Sequence, residues 1–206
     1  MEVAEVTTVT GWHFAADKLR DGRPLPKAGD TLVHEGKVRP CESGLHASAR
    51  ALDALSYAPG FMVARVELRG TIVPHGEDKH AASERHYLTG YVDANAVVVK
   101  WAFAEADRAV RVHAVAALRS AADADGIPDE HRAVFRKHAD DLAALPVVHS
   151  SNAARAASDA AGAASDAAWA ASDAAWAASD AESNARLEAA LMELFQAAVD
   201  KSGALE

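Results

Sequence analysis

The sequence predicts an α+β fold, in which a small mixed α/β domain precedes an all-helical half. β-rich segments with alternating apolar and polar residues are confined to the first 92 positions. From Asp93 the apolar residues recur at helical spacing, and from Ser151 a heptad made almost wholly of alanine repeats without proline. Strands first and helices after are typical of the α+β class. We therefore expect a domain over 1–92, a helical pair over 93–146 and a long alanine-rich, coiled-coil-like helix over 147–206.

Four strands and one short helix are predicted in the N-terminal domain. The predicted strands are TTVTGWHF, TLVHEG, FMVARVELRG and His86–Val92, separated by turns rich in glycine and proline. In FMVARVELRG the even-numbered residues are apolar, which is typical of a half-buried strand. Ser48 is expected to cap a helix over ARALDALSYA, which Pro59 and Gly60 end.

Two helices are predicted between the N-terminal domain and the alanine repeat. The first covers residues 93–126, with Asp93 as its N-cap and Gly126 just past its end. The second, IPDEHRAVFRKHADDLAALP, has Pro128 at its start and Pro146 after its last turn.

The heptads SNAARAA, SDAAGAA, SDAAWAA, SDAAWAA and SDAESNA form the alanine tail. A sevenfold repeat favours a left-handed supercoil, and alanine lets helix axes approach closely. The first interpretation is a homo-oligomer, most simply a two-fold dimer; the second is packing against residues 95–145 of the same chain. The predicted interface residues are large and apolar: Trp169, Trp176, Leu187, Leu191 and Leu194.

Composition limits the classes of partner and compartment. The net charge is −9, and the segment from Ser151 to Glu206 carries nine acidic against three basic residues. An acidic chain without a basic stripe argues against direct nucleic-acid binding. The single cysteine excludes an internal disulfide, and no stretch matches a signal peptide or a membrane span. We expect a protein of the bacterial cytoplasm that has no contact with membranes.

The N-terminal domain holds the densest set of polar side chains, and His34, Cys41 and His46 are its candidate binding residues. Thiolate and imidazole are zinc ligands, but neither CxxC nor HxxxH spacing is present. We therefore expect these three residues to lie near one another as packing and hydrogen-bonding groups without a metal. Cys41 as a nucleophile, with His34 or His46 as its base, is a further alternative.

The stretches GWHF, VHEGKVRPCESGLHAS, ALDALSYAPG, ARVELRG and HGEDKHAASER resemble a domain found in many phage and prophage proteins of unknown function. In that family an HEG turn, a CxxGxHA segment, a Leu-x-Tyr helix end and a Lys-x-x-x-Ser run occur in this order, and repetitive tails follow. The resemblance covers roughly residues 10–90. It implies a bacteriophage or prophage origin and no settled activity.

The order of elements also resembles that of ADP-ribosyltransferases. This resemblance implies that His13 holds the nicotinamide ribose of NAD and that Ser48 or Tyr57 lines the pocket. It implies that Glu84 stabilises the developing oxocarbenium charge. The sequence departs from that family because it has neither an STS triplet nor an ExE pair.

Two functions are consistent with these observations. The first is a phage-type accessory protein, with a counter-defence role, that binds a host or phage protein and is oligomerised by its helices. It needs no cofactor. The alternative is an NAD-using enzyme, and it requires His13 and Glu84 to share one cleft.

Overall fold

A computed structural model describes residues 8–150 and 173–203, with the side chains of 180–201 described in the last segment. The chain divides into two compact units, one of residues 1–98 with 184–206 and one of residues 99–183. The first unit therefore includes the C-terminal segment. Asn184 and Glu188 in this segment form hydrogen bonds with N-terminal residues at least 132 positions earlier in the sequence. The segments predicted from the sequence, with boundaries at 92 and 146, do not indicate that the C-terminal segment packs with the N-terminal residues.

One antiparallel sheet forms the framework of the first unit and confirms the α+β class. Its strands are β1 (Val9–Ala15), β2 (Thr31–Val33), β3 (Leu45–Ala47), β4 (Met62–His75), β5 (Lys79–Tyr87) and β6 (Val92–Asp93). The order is β1-β4-β5-β2, while β3 also pairs with β5 and β6 with β4.

A bulge interrupts the long hairpin of β4 and β5 where the register shifts between Arg69 and Ile72. Gly70 lies there with φ +71°, and a Cβ at this position would lie 2.3 Å from the Ser83 Oγ. That hydroxyl instead accepts the backbone N–H of Thr71 at 2.9 Å. Both the backbone conformation and the close approach therefore require glycine at the bulge.

The strand predicted over His86–Val92 is wrong over most of its length. β5 ends at Tyr87, and the backbone N–H of Leu88 turns back to the Arg65 carbonyl at 2.9 Å. The strand begins earlier because Ala81 and Ala82 are fully buried in the sheet. Alanine has a low strand propensity, so tertiary packing overrides the local signal here.

Cross-strand pairing determines which side chains share a face of the sheet. Pairing of His13 with Ala64 and of Arg85 with Leu68 places His13 and Arg85 on one face. Ala64, Val66, Leu68 and Tyr87 are buried on that face, in a core cluster that also includes Ala47 and Ala82. Trp12 pairs with Arg65 and lies on the other face, where the Arg65 guanidinium stacks 4.3 Å from the centre of its ring.

The short helix α1 (Ala51–Ser56) begins without the expected Ser48 cap. Ser48 instead forms a backbone bridge with Trp12, through hydrogen bonds of 2.8 and 3.2 Å. The first free N–H groups of α1 are satisfied from the C-terminal segment. Glu188 Oε1 accepts the Ala51 N–H at 3.0 Å, and Asn184 Oδ1 accepts the Leu52 N–H at 3.0 Å.

The helix predicted over 93–126 is present as a continuous helical run. It consists of α2 (Asn95–Arg108), a π-helical turn (Ala109–Ala114) and α3 (Val115–Asp123). The N-cap position is Ala94, whose carbonyl accepts the Val98 N–H at 2.8 Å, and not the predicted Asp93. The Asp93 carboxylate, one position earlier, accepts the Asn95 N–H at 2.8 Å.

The second predicted helix is α4 (Asp129–Ala143), and Pro128 is its N-cap. Arg132 on α4 closes the end of α3, because its guanidinium donates to the carbonyls of Ala122, Ala124 and Ile127 at 2.6–3.0 Å. The core of the second unit lies between α3, α4 and the π-helical turn: Val110, Val115, Leu118, Ala139, Leu142 and Val148.

The last helix, α5, spans Asp173–Gly203. Residues 151–172, with most of the alanine heptads and Trp169, lie outside the described residues, so a heptad helix over them is not confirmed. Among the helices that the structure does describe, none has the length and apolar content needed to cross a membrane.

Candidate functional site

A cavity of about 960 Å³ lies within the first unit. β1, the loop that follows it, β3, α1 and β5 all contribute to its wall. Most of its ionisable wall is basic, with two histidines, five lysines or arginines and two carboxylates: His13, His46, Lys18, Arg20, Arg23, Lys79, Arg85, Asp17 and Asp21. We call it the basic cavity.

Five of the seven residues predicted to bind or react line this cavity together: His13, Cys41, His46, Ser48 and Tyr57. His34 and Glu84 do not line it. The backbone N–H of His34 donates to the Ser83 carbonyl at 2.7 Å, and no described contact joins His34 to Cys41 or His46.

His13 and Glu84 lie on opposite faces of the sheet. His13 pairs with Ala64, whereas Glu84 pairs with Arg69, five residues further along the same strand. Side chains alternate between faces along a strand, so an odd separation places the two groups on different sides. The predicted pairing of His13 with Glu84 around one substrate is therefore incompatible with the register.

Arg85 is the principal residue that sequence reasoning missed. It is 4% exposed, and its Nη1 donates to the His46 carbonyl at 2.7 Å. The guanidinium stacks 5.3 Å from the Tyr87 ring, while its Nε–H is buried without a hydrogen-bond partner among the described residues. The segment SERHY could have indicated this position, because Arg85 is two positions from the core residue Tyr87 and a strand places both side chains on one face.

His13 is a neutral imidazole beside this guanidinium. Its Nδ1 is hydrogen-bonded to the Tyr91 hydroxyl, which is also 3.5 Å from the hydroxyl of Tyr87. Burial, followed by the charges of Arg85 and His46, holds the pKa of His13 well below its usual value of 6.5. Its Nε2 is not hydrogen-bonded to any described residue, so it is available to a bound molecule.

His46 fixes the turn that contains Cys41. Cys41 has φ 66°, and its backbone N–H donates to the His46 Nε2 at 3.2 Å. The Cys41 thiol lies 3.6 Å from the His75 Nε2. Burial, followed by the charges of Lys79 and Arg85, lowers the pKa of His46.

Tyr57 also lines the cavity, and both its hydroxyl and its ring contact charged side chains. The Tyr57 hydroxyl donates to the Asp78 carboxylate, and the Lys79 ammonium lies 3.9 Å from the centre of the ring. The hydrogen bond raises the pKa of Tyr57 and lowers that of Asp78. No three His, Cys, Asp or Glu side chains in the described parts of the chain are grouped closely enough to hold a metal ion.

The predicted oligomer interface is placed only in part. The side chains of Trp169 and Trp176 lie outside the described residues. Leu187 and Leu191 are fully buried among residues of the same chain. Leu194 is half-buried.

The comparison with protein families identifies the N-terminal part of the chain. The model of a family described as Domain of unknown function (DUF7666) matches residues 9–122, more than half of the 206 positions. The chain belongs to this family. The DUF7666 match includes all six strands, α1, α2 and nearly all of α3, and therefore every described residue of the basic cavity. No curated protein and no solved structure matches the chain.

Proposed function

We propose that the protein is a phage- or prophage-type accessory protein that acts by binding, and that the basic cavity is its ligand site. The observation that carries this proposal is the convergence of His13, His46, Ser48, Tyr57 and Arg85 on one cavity. Its volume of about 960 Å³ lies in the range of small-molecule sites, and such sites combine apolar walls with a few polar groups.

The phage origin rests on the quoted motifs, and a counter-defence role is consistent with it. Binding of a host protein and self-association through the alanine tail are parts of the same proposal. A small ligand is favoured for the cavity itself because its whole wall comes from within one unit and its volume is that of a small-molecule site.

NAD is a second candidate ligand, since His13, Ser48 and Tyr57 line the cavity as the resemblance to ADP-ribosyltransferases implies. The catalytic part of that resemblance has no support, because Glu84 lies on the opposite face. We therefore favour binding over catalysis. Nicotinamide release that is lost in Glu84→Gln would contradict this choice.

The test is a chemical-shift titration of the full chain with a panel of anionic, neutral and cationic metabolites. At least one compound should perturb amides that line the cavity, and His13→Ala should weaken its binding about three- to tenfold through one lost hydrogen bond. His131→Ala is the matched control, because His131 is an exposed histidine on α4 in the other unit. The proposal fails if no compound shifts a resonance of the cavity.

A further inference from the structure

Arg85 carries a positive charge that no described carboxylate neutralises. The side chain is 4% exposed, yet its one hydrogen bond among the described residues goes to a neutral carbonyl, that of His46. The two carboxylates of the cavity wall make no hydrogen bond to it, and Asp21 is instead paired with Arg23 at 2.6 Å. A buried ion without a counter-charge is costly and is normally compensated.

The free edge of the guanidinium has the geometry of an anion-binding fork. Nη1 is used by the His46 carbonyl, which leaves Nε and Nη2 as a parallel pair of donors. The Nε–H is buried and has no hydrogen-bond partner in the described part of the chain. Two parallel N–H groups match the two oxygens of a carboxylate or phosphate.

The surroundings of Arg85 add positive potential and a second donor. Lys18, Arg20 and Lys79 line the same cavity, while the whole chain has a net charge of −9. The His13 Nε2 has no bond to a described residue, and it can donate when the Tyr91 hydroxyl donates to Nδ1. A negative group at Arg85 would therefore lie in a cavity whose wall is mostly basic.

We propose that the basic cavity binds a small anionic ligand whose carboxylate or phosphate group sits across the Nε and Nη2 of Arg85. This inference rests on the proposed function and names the ligand class of the same site. Without a ligand, the described contacts of the Arg85 guanidinium are the Tyr87 ring and the His46 carbonyl.

The direct test observes the Arg85 Nε–H resonance of the unmodified full chain during titration with inorganic pyrophosphate and, separately, with citrate. Either anion should shift this resonance together with the amides of the cavity wall. If pyrophosphate saturates the shift at a lower concentration than citrate, the bound group is a phosphate. If citrate saturates it at the lower concentration, the bound group is a carboxylate. Glucosamine and glucose, as cationic and neutral probes, should leave the resonance unmoved.

The variant test compares Arg85→Lys, which keeps the charge but loses the fork, with Arg39→Gln. Arg39 is an exposed arginine of the same unit that does not line the cavity. Arg85→Lys should weaken anion binding about tenfold or more, whereas Arg39→Gln should not change it. If Arg85→Lys fails to fold, the resonance shift in the unmodified chain decides.

The outcomes separate the two proposals. Cavity binding by neutral or cationic compounds alone, or anion binding that leaves the Arg85 Nε–H unmoved, overturns the anion inference and retains the ligand site. Absence of any perturbation in the cavity by any probe overturns both.

Discussion

Glu188 joins the C-terminal helix to the N-terminal unit, and its removal is the sharpest test of this arrangement. One oxygen of Glu188 accepts the N–H of the Trp12 indole at 3.2 Å and that of Ala51 at 3.0 Å. The same indole is 2% exposed and stacks under Arg65. Loss of the carboxylate therefore leaves the Trp12 indole N–H and the Ala51 N–H without their acceptor, and removes a negative charge that acts on Arg65.

The magnitude follows from these contacts. A hydrogen bond to a charged acceptor contributes about 1.5–3 kcal/mol, and a helix cap about 0.5–2 kcal/mol. Since the two bonds share one oxygen and are not additive, Glu188→Ala should lower the free energy of unfolding of this unit by about 2–4 kcal/mol. Glu188→Gln retains the acceptor and should cost about half as much. Asn184→Ala, which removes only the bond to the Leu52 N–H, should cost about 1 kcal/mol.

The assay is hydrogen exchange of the Ala51 and Leu52 amides, combined with urea unfolding followed through the Trp12 indole resonance. Glu193→Ala is the control, because Glu193 is exposed on the same helix and should change stability by less than about 0.5 kcal/mol. Equal effects of Glu188→Ala and Glu193→Ala would show that the C-terminal helix does not cap α1 in solution.

Three further predictions concern other parts of the chain. Because the folded-state pKa of His13 lies below 6.5, the unfolded chain takes up its proton first as the pH falls. Stability should therefore decline from about pH 7 to pH 5, and His13→Gln should flatten this decline in urea titrations. Gly11→Ala should destabilise the first unit by about 1–3 kcal/mol in the same titrations, because its Cβ would lie 2.6 Å from the Ser48 carbonyl oxygen; an unchanged midpoint would contradict this. Replacing both Trp169 and Trp176 with alanine should weaken a homo-oligomer measured by light scattering, since each indole can bury about 150–250 Å². A monomeric parent protein would contradict the predicted self-association.

Local chemistry in the sequence was sufficient for much of the fold. The change from strand to helix periodicity near Asp93, the start of α4 after Pro128 and the strand in FMVARVELRG are all confirmed. Each depends on residues close together in sequence. The β5 strand was misplaced because buried alanines carry little strand signal, and its position depends on the partner strand.

The cap of α1 shows what local reasoning could not supply. Ser48 is a good N-cap by residue type and position, but its backbone is used in the bridge to Trp12. The groups that do satisfy the helix start come from Asn184 and Glu188, within a segment for which the heptad repeat predicts self-association. Periodicity identifies an apolar helix face, but it does not specify whether the same chain or another covers it.

The sequence does not predict the basic cavity, for a related reason. Net charge is a sum over the whole chain, and the acidic tail gives most of the −9. The basic residues of the cavity wall are spread from Lys18 to Arg85, and folding of the sheet and its loops brings them together. The acidic total argues against a long basic surface of the kind that binds nucleic acid, yet it places no limit on a cavity a few side chains wide. The basic wall of the cavity attracts an anion, and added salt screens this attraction. The affinity for the anion should therefore fall as the salt concentration rises.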